Sequence, residues 1–392
     1  MYKLEKLESG VCCAEGFFAD GVSAGLKAEG AKDVAFIYSD TLCEIASVFT
    51  TNKMQAAPVR HAKSLGHTPT NTILINAKNA NAMTGAKGVE AIKEVLATLP
   101  KECVNPRMSS TGVIGVPLPK EKIIAATKEF DFTKKEPNAA ARAIMTTDSF
   151  SKEIAFKITL ADGSSFKIGA MAKGAGMINP AMATMLCFIT TDAKVEHREM
   201  QEILDRVTIK TFNAASVDGD TSTNDTVMLL ANGKSATFQA DAFEEALYEI
   251  MLFLAREMVR DGEGATKLVT YNITGARSDA DAEVVAKALS NSLLVKTALY
   301  GEDPNWGRIA STVGASGAEA TEEDLSIFFN ELCVYERGVL HFDKEMEDRA
   351  SLVMQQDSFT ISCDLGLGEG SFRAFGCDLG YEYVKINADY RT

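Results

Sequence analysis

The sequence predicts a mixed α/β (α+β) protein with a smaller βαβ-type domain at its C-terminus. Three observations lead there. A chain of 392 residues is long enough for two or three cores of ordinary size. Strand-like and helix-like periodicities are mixed through its first half, and an orderly strand–helix alternation begins after Asp261-Gly262-Glu263-Gly264. That tetrapeptide breaks a long helical pattern and divides residues 1–262 from residues 263–392.

In chain order, 33–39 (DVAFIYS) and 71–77 (NTILINA) read as buried strands. Residues 88–99 carry Val89, Ile92, Val95 and Leu96 at helical spacing, and Pro119 and Pro137 each open a further helix, because proline suits a first turn. Residues 153–160 and 165–171 alternate across Asp162-Gly163, a hairpin signal. A Gly-rich run, Lys173 to Pro180, then leads into a strand-like 184–190. Helices are expected over 196–214 and 241–259, separated by the hydroxyl- and carboxylate-rich Ser216–Asp225. Beyond the boundary the expected order is strand 268–274, helix 280–290, strand 293–300 and helix 307–313. A second round follows: strand 327–336, helix 343–356 and strand 359–364.

Composition narrows the function. A net charge of −14, with no cluster of Lys and Arg, argues against nucleic acid, and would mildly attract a cationic substrate. The longest apolar runs are too short to span a bilayer, and the N-terminal residues lack the apolar core of a signal peptide. A cytoplasmic protein is the expectation. The eight cysteines form no C-x-x-C pair and read as reduced, buried thiols. Four histidines, none in an H-E-x-x-H arrangement, make no metal site.

Several motifs have plain readings. Gly366, Gly368 and Gly370 follow a strand but precede another strand-like run, so they read as a hairpin turn and not as a phosphate loop, which must open a helix. Counted from Asp218, the twelfth position is Leu229, where a calcium loop needs Glu. The Ser216–Asp225 segment is therefore either a structural polar loop or a wall of an active site. No G-x-S-x-G elbow is present.

Gly176–Thr184 (GMINPAMAT) reads either as a loop feeding a buried strand or as a self-cleavage site. In the second reading the Thr184 hydroxyl attacks the Ala183 carbonyl, and ester hydrolysis frees the Thr184 amine. An α-amine has an ordinary pKa of about 8. It can then serve as general base for its own hydroxyl, so one residue supplies nucleophile and base.

Taken together, Ala46–Asn52 with Ala56–Val59, Asn79–Gly85, Ser110–Gly115, Ile144–Asp148, Lys173–Asp192, Ser216–Asp225, Asp261–Lys267 and Gly301–Arg308 strongly resemble the ornithine acetyltransferase family of arginine biosynthesis (glutamate N-acetyltransferase and amino-acid acetyltransferase). The resemblance spans essentially the whole chain. It implies layered sheets flanked by helices, as in an N-terminal-nucleophile-like aminopeptidase fold, and cleavage between Ala183 and Thr184 into fragments 1–183 and 184–392. It implies Thr184 as nucleophile, Thr111 and Gly112 as the oxyanion hole, and substrate contacts at Thr147, Lys173, Glu263, Asn387 and Thr392. Lys173 would pair with a substrate α-carboxylate, and Glu263 would attract the ornithine amine. The C-terminal tail would return to the pocket. Two departures stand out: Asn179-Pro180-Ala181 where relatives carry Pro-Asn-Met-Ala-Thr, and Lys78 where a small residue is usual.

The family's activity is transfer of acetyl from N-acetylornithine to glutamate, giving ornithine and N-acetylglutamate without a cofactor or metal. Its bifunctional members also use acetyl-CoA, for which this sequence has no separate motif. Two copies of each fragment are the implied assembly. An N-terminal-nucleophile amidohydrolase or aminopeptidase would use the same Thr184 with water as acceptor, and a non-catalytic binding protein is a second alternative.

Overall fold

A computed structural model describes residues 2–179 and 185–389. The first nine strands are β1 (Tyr2–Leu7), β2 (Phe17–Val22), β3 (Val34–Phe49), β4 (Thr70–Asn76), β5 (Arg107–Ser110), β6 (Lys152–Leu160), β7 (Ser165–Lys173), β8 (Leu186–Thr191) and β9 (Thr226–Ala231). Their order is β1-β6-β7-β8-β9-β3-β4-β5, with β2 also paired to β3. The long β3 serves two layers. Its residues 34–39 pair with β2 and β4, the register then shifts between Tyr38 and Cys43, and its residues 44–49 pair with β9.

Period-two alternation explains how these layers stack. Leu186 and Phe188 of β8, with Met228 and Leu230 of β9, meet Ala35, Ile37, Ile73 and Ile75 in a core between the sheets. The alternate residues Cys187, Ile189, Val227 and Leu229 face outward onto helices. The helices of this half are α1 (Ala57–Ser64), α2 (Gly85–Leu96), α3 (Lys120–Thr127), α4 (Pro137–Ala143), α5 (His197–Lys210) and α6 (Ala240–Arg260). Leu204 and Val207 of α5, and Leu247, Ile250 and Leu254 of α6, cover that outer face. On the far side Leu74 and Met108 pack against Ile92 and Val95 of α2. The result is a helix–sheet–sheet–helix stack, the layered α/β architecture the resemblance implies.

The remaining strands, β10 (Leu268–Ala276), β11 (Ser326–Phe329), β12 (Leu332–Glu336), β13 (Val339–Leu340), β14 (Ser358–Asp364) and β15 (Gly370–Cys377), form a second sheet in the order β13-β12-β11-β14-β10-β15. Its helices are α7 (Asp279–Asn291), α8 (Leu293–Tyr300), α9 (Trp306–Ala315), α10 (Lys344–Met354) and α11 (Tyr381–Asp389).

Three sequence expectations are corrected here. Residues 293–300 form helix α8, not a strand. Ser292 caps it by accepting from the Val295 N–H, and its buried residues Val295, Lys296, Ala298 and Leu299 recur at helical spacing. The single strand expected over 327–336 is a hairpin, turned at Asn330 with a φ of 49°. The Gly366–Gly370 segment is not a hairpin turn. β14 pairs parallel to β10, and β15 pairs antiparallel to the same strand, so the segment passes over the end of β10. Glycine is required for that crossing, since a Cβ on Gly370 would lie 2.3 Å from the Ser278 carbonyl carbon. Strand and helix do alternate in this half, but β10 and β14 are the parallel pair in a sheet otherwise antiparallel.

No helix among the described residues is long and apolar enough to cross a membrane. The eight cysteines are free, and all but Cys333 are buried. Because Phe188 is fully buried between the two sheets, Phe188→Ala should lower stability by about 3–5 kcal/mol, read as a lower urea midpoint. A cost close to that of a surface substitution would contradict this packing.

Candidate active site

A cavity of about 190 Å³ opens where the end of β7, the segment after β5 and the Ser216–Asp225 loop converge, and α11 closes one side. Thr111, Gly112, Thr147, Lys173, Glu263 and Asn387 all line it, although they come from distant parts of the chain. Ala183, Thr184 and Thr392 lie outside the described residues. Residue 185, bonded to Thr184, is placed: the Met185 N–H donates to Asp225 Oδ1 at 3.1 Å, and its carbonyl accepts from Thr226 N at 3.1 Å.

Lys173, the last residue of β7, is buried. Its Nζ donates to Thr146 Oγ1 at 2.8 Å, reaches Thr111 Oγ1 at 3.5 Å and stands 3.7 Å from Asp148 Oδ2. Burial lowers its pKa, and the Asp148 charge works against that fall. Asp148 is the centre of a larger cluster. Its Oδ1 accepts from Lys152 Nζ at 2.9 Å and from Gly174 N at 2.6 Å, while its Oδ2 accepts from Thr146 N at 3.0 Å. Lys152 Nζ also donates to Asp261 Oδ2 at 2.5 Å, and Asp261 accepts from Ser149 N. Burial alone would raise the Asp148 pKa, but Lys173, Lys152 and the two backbone N–H groups outweigh it and hold the carboxyl at about 2.

At one corner of the cavity the Thr111 N–H donates to Asn76 O at 3.0 Å, and the Thr111 hydroxyl oxygen faces Lys173 Nζ. Gly112 has a φ of 132°, and a Cβ there would lie 2.1 Å from the Lys78 carbonyl carbon. No other residue fits. Also in the lining, Glu263 Oε2 accepts from Asn387 Nδ2 at 2.8 Å, so α11 brings the C-terminal segment back onto the site. A Cβ on Gly176 would come within 2.5 Å of the Glu263 carboxyl carbon, so glycine there leaves that carboxylate its room.

The Ser216–Asp225 segment, left open by sequence as loop or wall, is a wall: Asp218, Asp220, Ser222, Thr223 and Asn224 line the cavity. Asp218 fixes the Gly-rich run by accepting from Met177 N at 2.6 Å and Ile178 N at 2.9 Å. Asn224 Nδ2 donates to Ala80 O and Ser110 O, tying the wall to the strand that leads into Thr111. Sequence reasoning named no role for Thr146, Asp148, Lys152, Asp218, Asp225, Asp261 or Tyr383, the last of which lines the cavity from α11. Asp148, Asp218, Asp225 and Asp261 fell inside matched motifs, and that position was their one available signal. Among the described residues no group of three His, Cys, Asp or Glu side chains is placed to hold a metal ion.

The lowered Asp148 pKa sets a pH dependence. The carboxylate stabilises the fold fully above the ordinary value of 3.8, and the gain is lost as pH falls through about 2. The expected size is on the order of 2 kcal/mol. Urea midpoints of the wild type and Asp148→Asn should therefore converge in acid; a gap that stays constant would refute this.

The comparisons with known proteins agree with one another. The ArgJ family profile matches residues 18–392. The chain is 59% identical over 396 residues to the arginine biosynthesis bifunctional protein ArgJ of Wolinella succinogenes, covering 100% of both. It is 42% identical over 412 residues to the protein of that name from Caldanaerobacter subterraneus, covering 99% of this chain and 100% of that one. Of solved structures, the ArgJ protein of Bacillus halodurans is 40% identical, covers 51% of this chain and 97% of its own, and has a TM-score of 0.48. Ornithine acetyltransferase of Mycobacterium tuberculosis, solved with ornithine, is 30% identical, covers 47% of this chain and 100% of its own, and has a TM-score of 0.39. With its full length shared at 59% identity and all but its first 17 residues matched by the profile, the chain belongs to the ArgJ family.

Proposed function

We propose that this protein moves the acetyl group of N2-acetylornithine to glutamate through an acetyl ester on Thr184. The observation that carries the reading is a pair of opposite charges lining one cavity: buried Lys173 beside Thr111, and Glu263. An amino acid with a cationic side chain carries the two complementary charges. Its α-carboxylate pairs with Lys173 and its terminal amine with Glu263, which directs the α-N-acetyl group to the Thr111–Gly112 corner. The names borne by its relatives, arginine biosynthesis bifunctional protein and ornithine acetyltransferase, support the same substrate class.

The chain first cleaves itself between Ala183 and Thr184. Thr184 Oγ then attacks the acetyl carbonyl, the Thr111 hydroxyl and Gly112 N–H stabilise the oxyanion, and ornithine leaves with a proton from the Thr184 amine. Thr147 and Thr392 complete the substrate contacts. Glutamate enters, gives a proton to the same amine and takes the acetyl group, so the two half-reactions share one site. The enzyme works in the cytoplasm as two copies of each fragment, and its catalytic machinery centres on residues 1–262.

Purified active protein should run as two bands ending and beginning at 183 and 184, whereas Thr184→Ala stays intact and transfers no acetyl. A single band from an active preparation would overturn the proposal. Acetylornithine plus glutamate should yield acetylglutamate; free acetate as the main product would mark an amidohydrolase instead. Acetylglutamate formed from acetyl-CoA and glutamate, with no acetylornithine present, would establish the second donor. Glu263→Gln should raise KM for acetylornithine roughly tenfold or more with a smaller effect on kcat. An unchanged KM would remove Glu263 from substrate recognition.

A further inference from the structure

Lys296, in the middle of α8, is a lysine only 1% exposed. Its Nζ donates to the Cys377 carbonyl and reaches Cys377 Sγ at 3.5 Å; these are its hydrogen-bond partners among the described residues. Cys377 ends β15 and is equally buried. Backbone bonds fix both sides of the contact. The Leu379 N–H donates to Lys296 O at 3.1 Å, and Asp378 accepts from Thr266 N and Lys267 N. The thiol itself points at Val217 O, 3.8 Å away, and a Cβ on Gly262 would lie 3.3 Å from its sulfur. Val217 and Gly262 each precede a residue of the cavity lining, Asp218 and Glu263. The sulfur therefore rests against the backbone that carries two of the cavity's carboxylates. Among the described residues, Cys377 is the one of the eight cysteines with a lysine nitrogen in hydrogen-bonding reach of its sulfur.

We propose that Lys296 and Cys377 form a reversible covalent redox link, closed by hydrogen peroxide, that controls the shape of the active-site wall. The Cys377 sulfur, its proton removed, attacks one peroxide oxygen. The O–O bond breaks, the departing hydroxide takes up that proton as water, and a sulfenic acid remains. The Lys296 nitrogen, as a free amine, then attacks the sulfur. An S–N bond forms, the S–O bond breaks, and the hydroxyl leaves as a second water with one amine proton. Thiol, amine and one peroxide thus give a sulfenamide and two waters, with sulfur oxidised and peroxide reduced by two electrons. A dithiol reverses the link: it displaces the lysine amine from sulfur, frees the thiol and ends as a disulfide. Thiols buried among apolar groups are inert, whereas a neighbouring lysine favours the thiolate. Burial pushes the Cys377 thiol up, and the Lys296 charge opposes that rise. Drawing the nitrogen in from 3.5 Å to bonding distance pulls α8 and the end of β15 together. Gly262 and Val217 move with the sulfur, and Glu263 and Asp218 with them. The link stands whatever the site catalyses; its effect on activity rests on the acetyl transfer proposed above.

Purified protein treated with hydrogen peroxide should give, on peptide mass mapping, a joined pair of peptides holding Lys296 and Cys377, about 2 Da lighter than its two parts. Dithiothreitol should separate them. Acetyl transfer should fall roughly tenfold or more in the linked protein and recover with dithiothreitol. Cys377→Ser, which keeps a donor for Val217 O, should lose the reversible part of that sensitivity at an unchanged urea midpoint. Cys377 recovered as a free thiol, in a disulfide, or as a sulfinic acid beside an unmodified Lys296 overturns the link, and this map needs no variant to fold. A link that forms with no loss of transfer overturns its control of the wall. Untreated protein that transfers no acetyl overturns the proposed function instead, and the mass map still decides the link.

Discussion

The site depends on one buried carboxylate holding two buried ammonium groups. Asp148 lies between Lys152 and Lys173, and Lys152 extends the cluster to Asp261. Taking these ions out of water costs several kcal/mol each, so the arrangement persists because each charge also meets backbone or hydroxyl partners. Gly174 N, Thr146 N and Ser149 N supply those bonds to the carboxylates, and Thr146 Oγ1 accepts from Lys173. Remove one member and the others are left charged and unpaired, which is the expensive outcome.

That cluster also sets the positions of the cavity walls. Lys152 begins β6, Lys173 ends β7, and Asp261 caps the end of α6 two residues before Glu263. Residues 146–149 are drawn in by the same bonds, so Thr146 and Thr147 reach the cavity as a consequence. Lys173 and the helix end that leads into Glu263 are thus held by a single network.

A second constraint comes from the parallel pairing of β8 with β9. Parallel neighbours start at the same end of a sheet, so the segment entering β8 and the polar segment entering β9 arrive side by side. This places Asp225 on the Met185 N–H and lets Asn224 fasten the same segment to Ser110, next to Thr111. The Gly-rich run, the Thr111 corner and the polar wall converge for that reason, although 111, 173 and 225 are far apart in the chain.

Much of this was legible in the residues. The period-two runs of β6 and β7, the apolar run of β8 and the helical spacing of α2 and α6 follow from side-chain geometry that any chain must obey. The motif resemblance also picked out six residues that line one cavity. What sequence could not decide depended on neighbours. Residues 293–300 are apolar enough for either periodicity, and the Ser292 cap and packing on α9 made them helical. The Gly366–Gly370 segment borders two strands, but only the sheet shows that both pair with β10. Asp148, Lys152, Asp261 and Asp225 look like surface charge in a chain with 54 acidic residues. Burial, which exists only in the folded chain, is what turned them into a network.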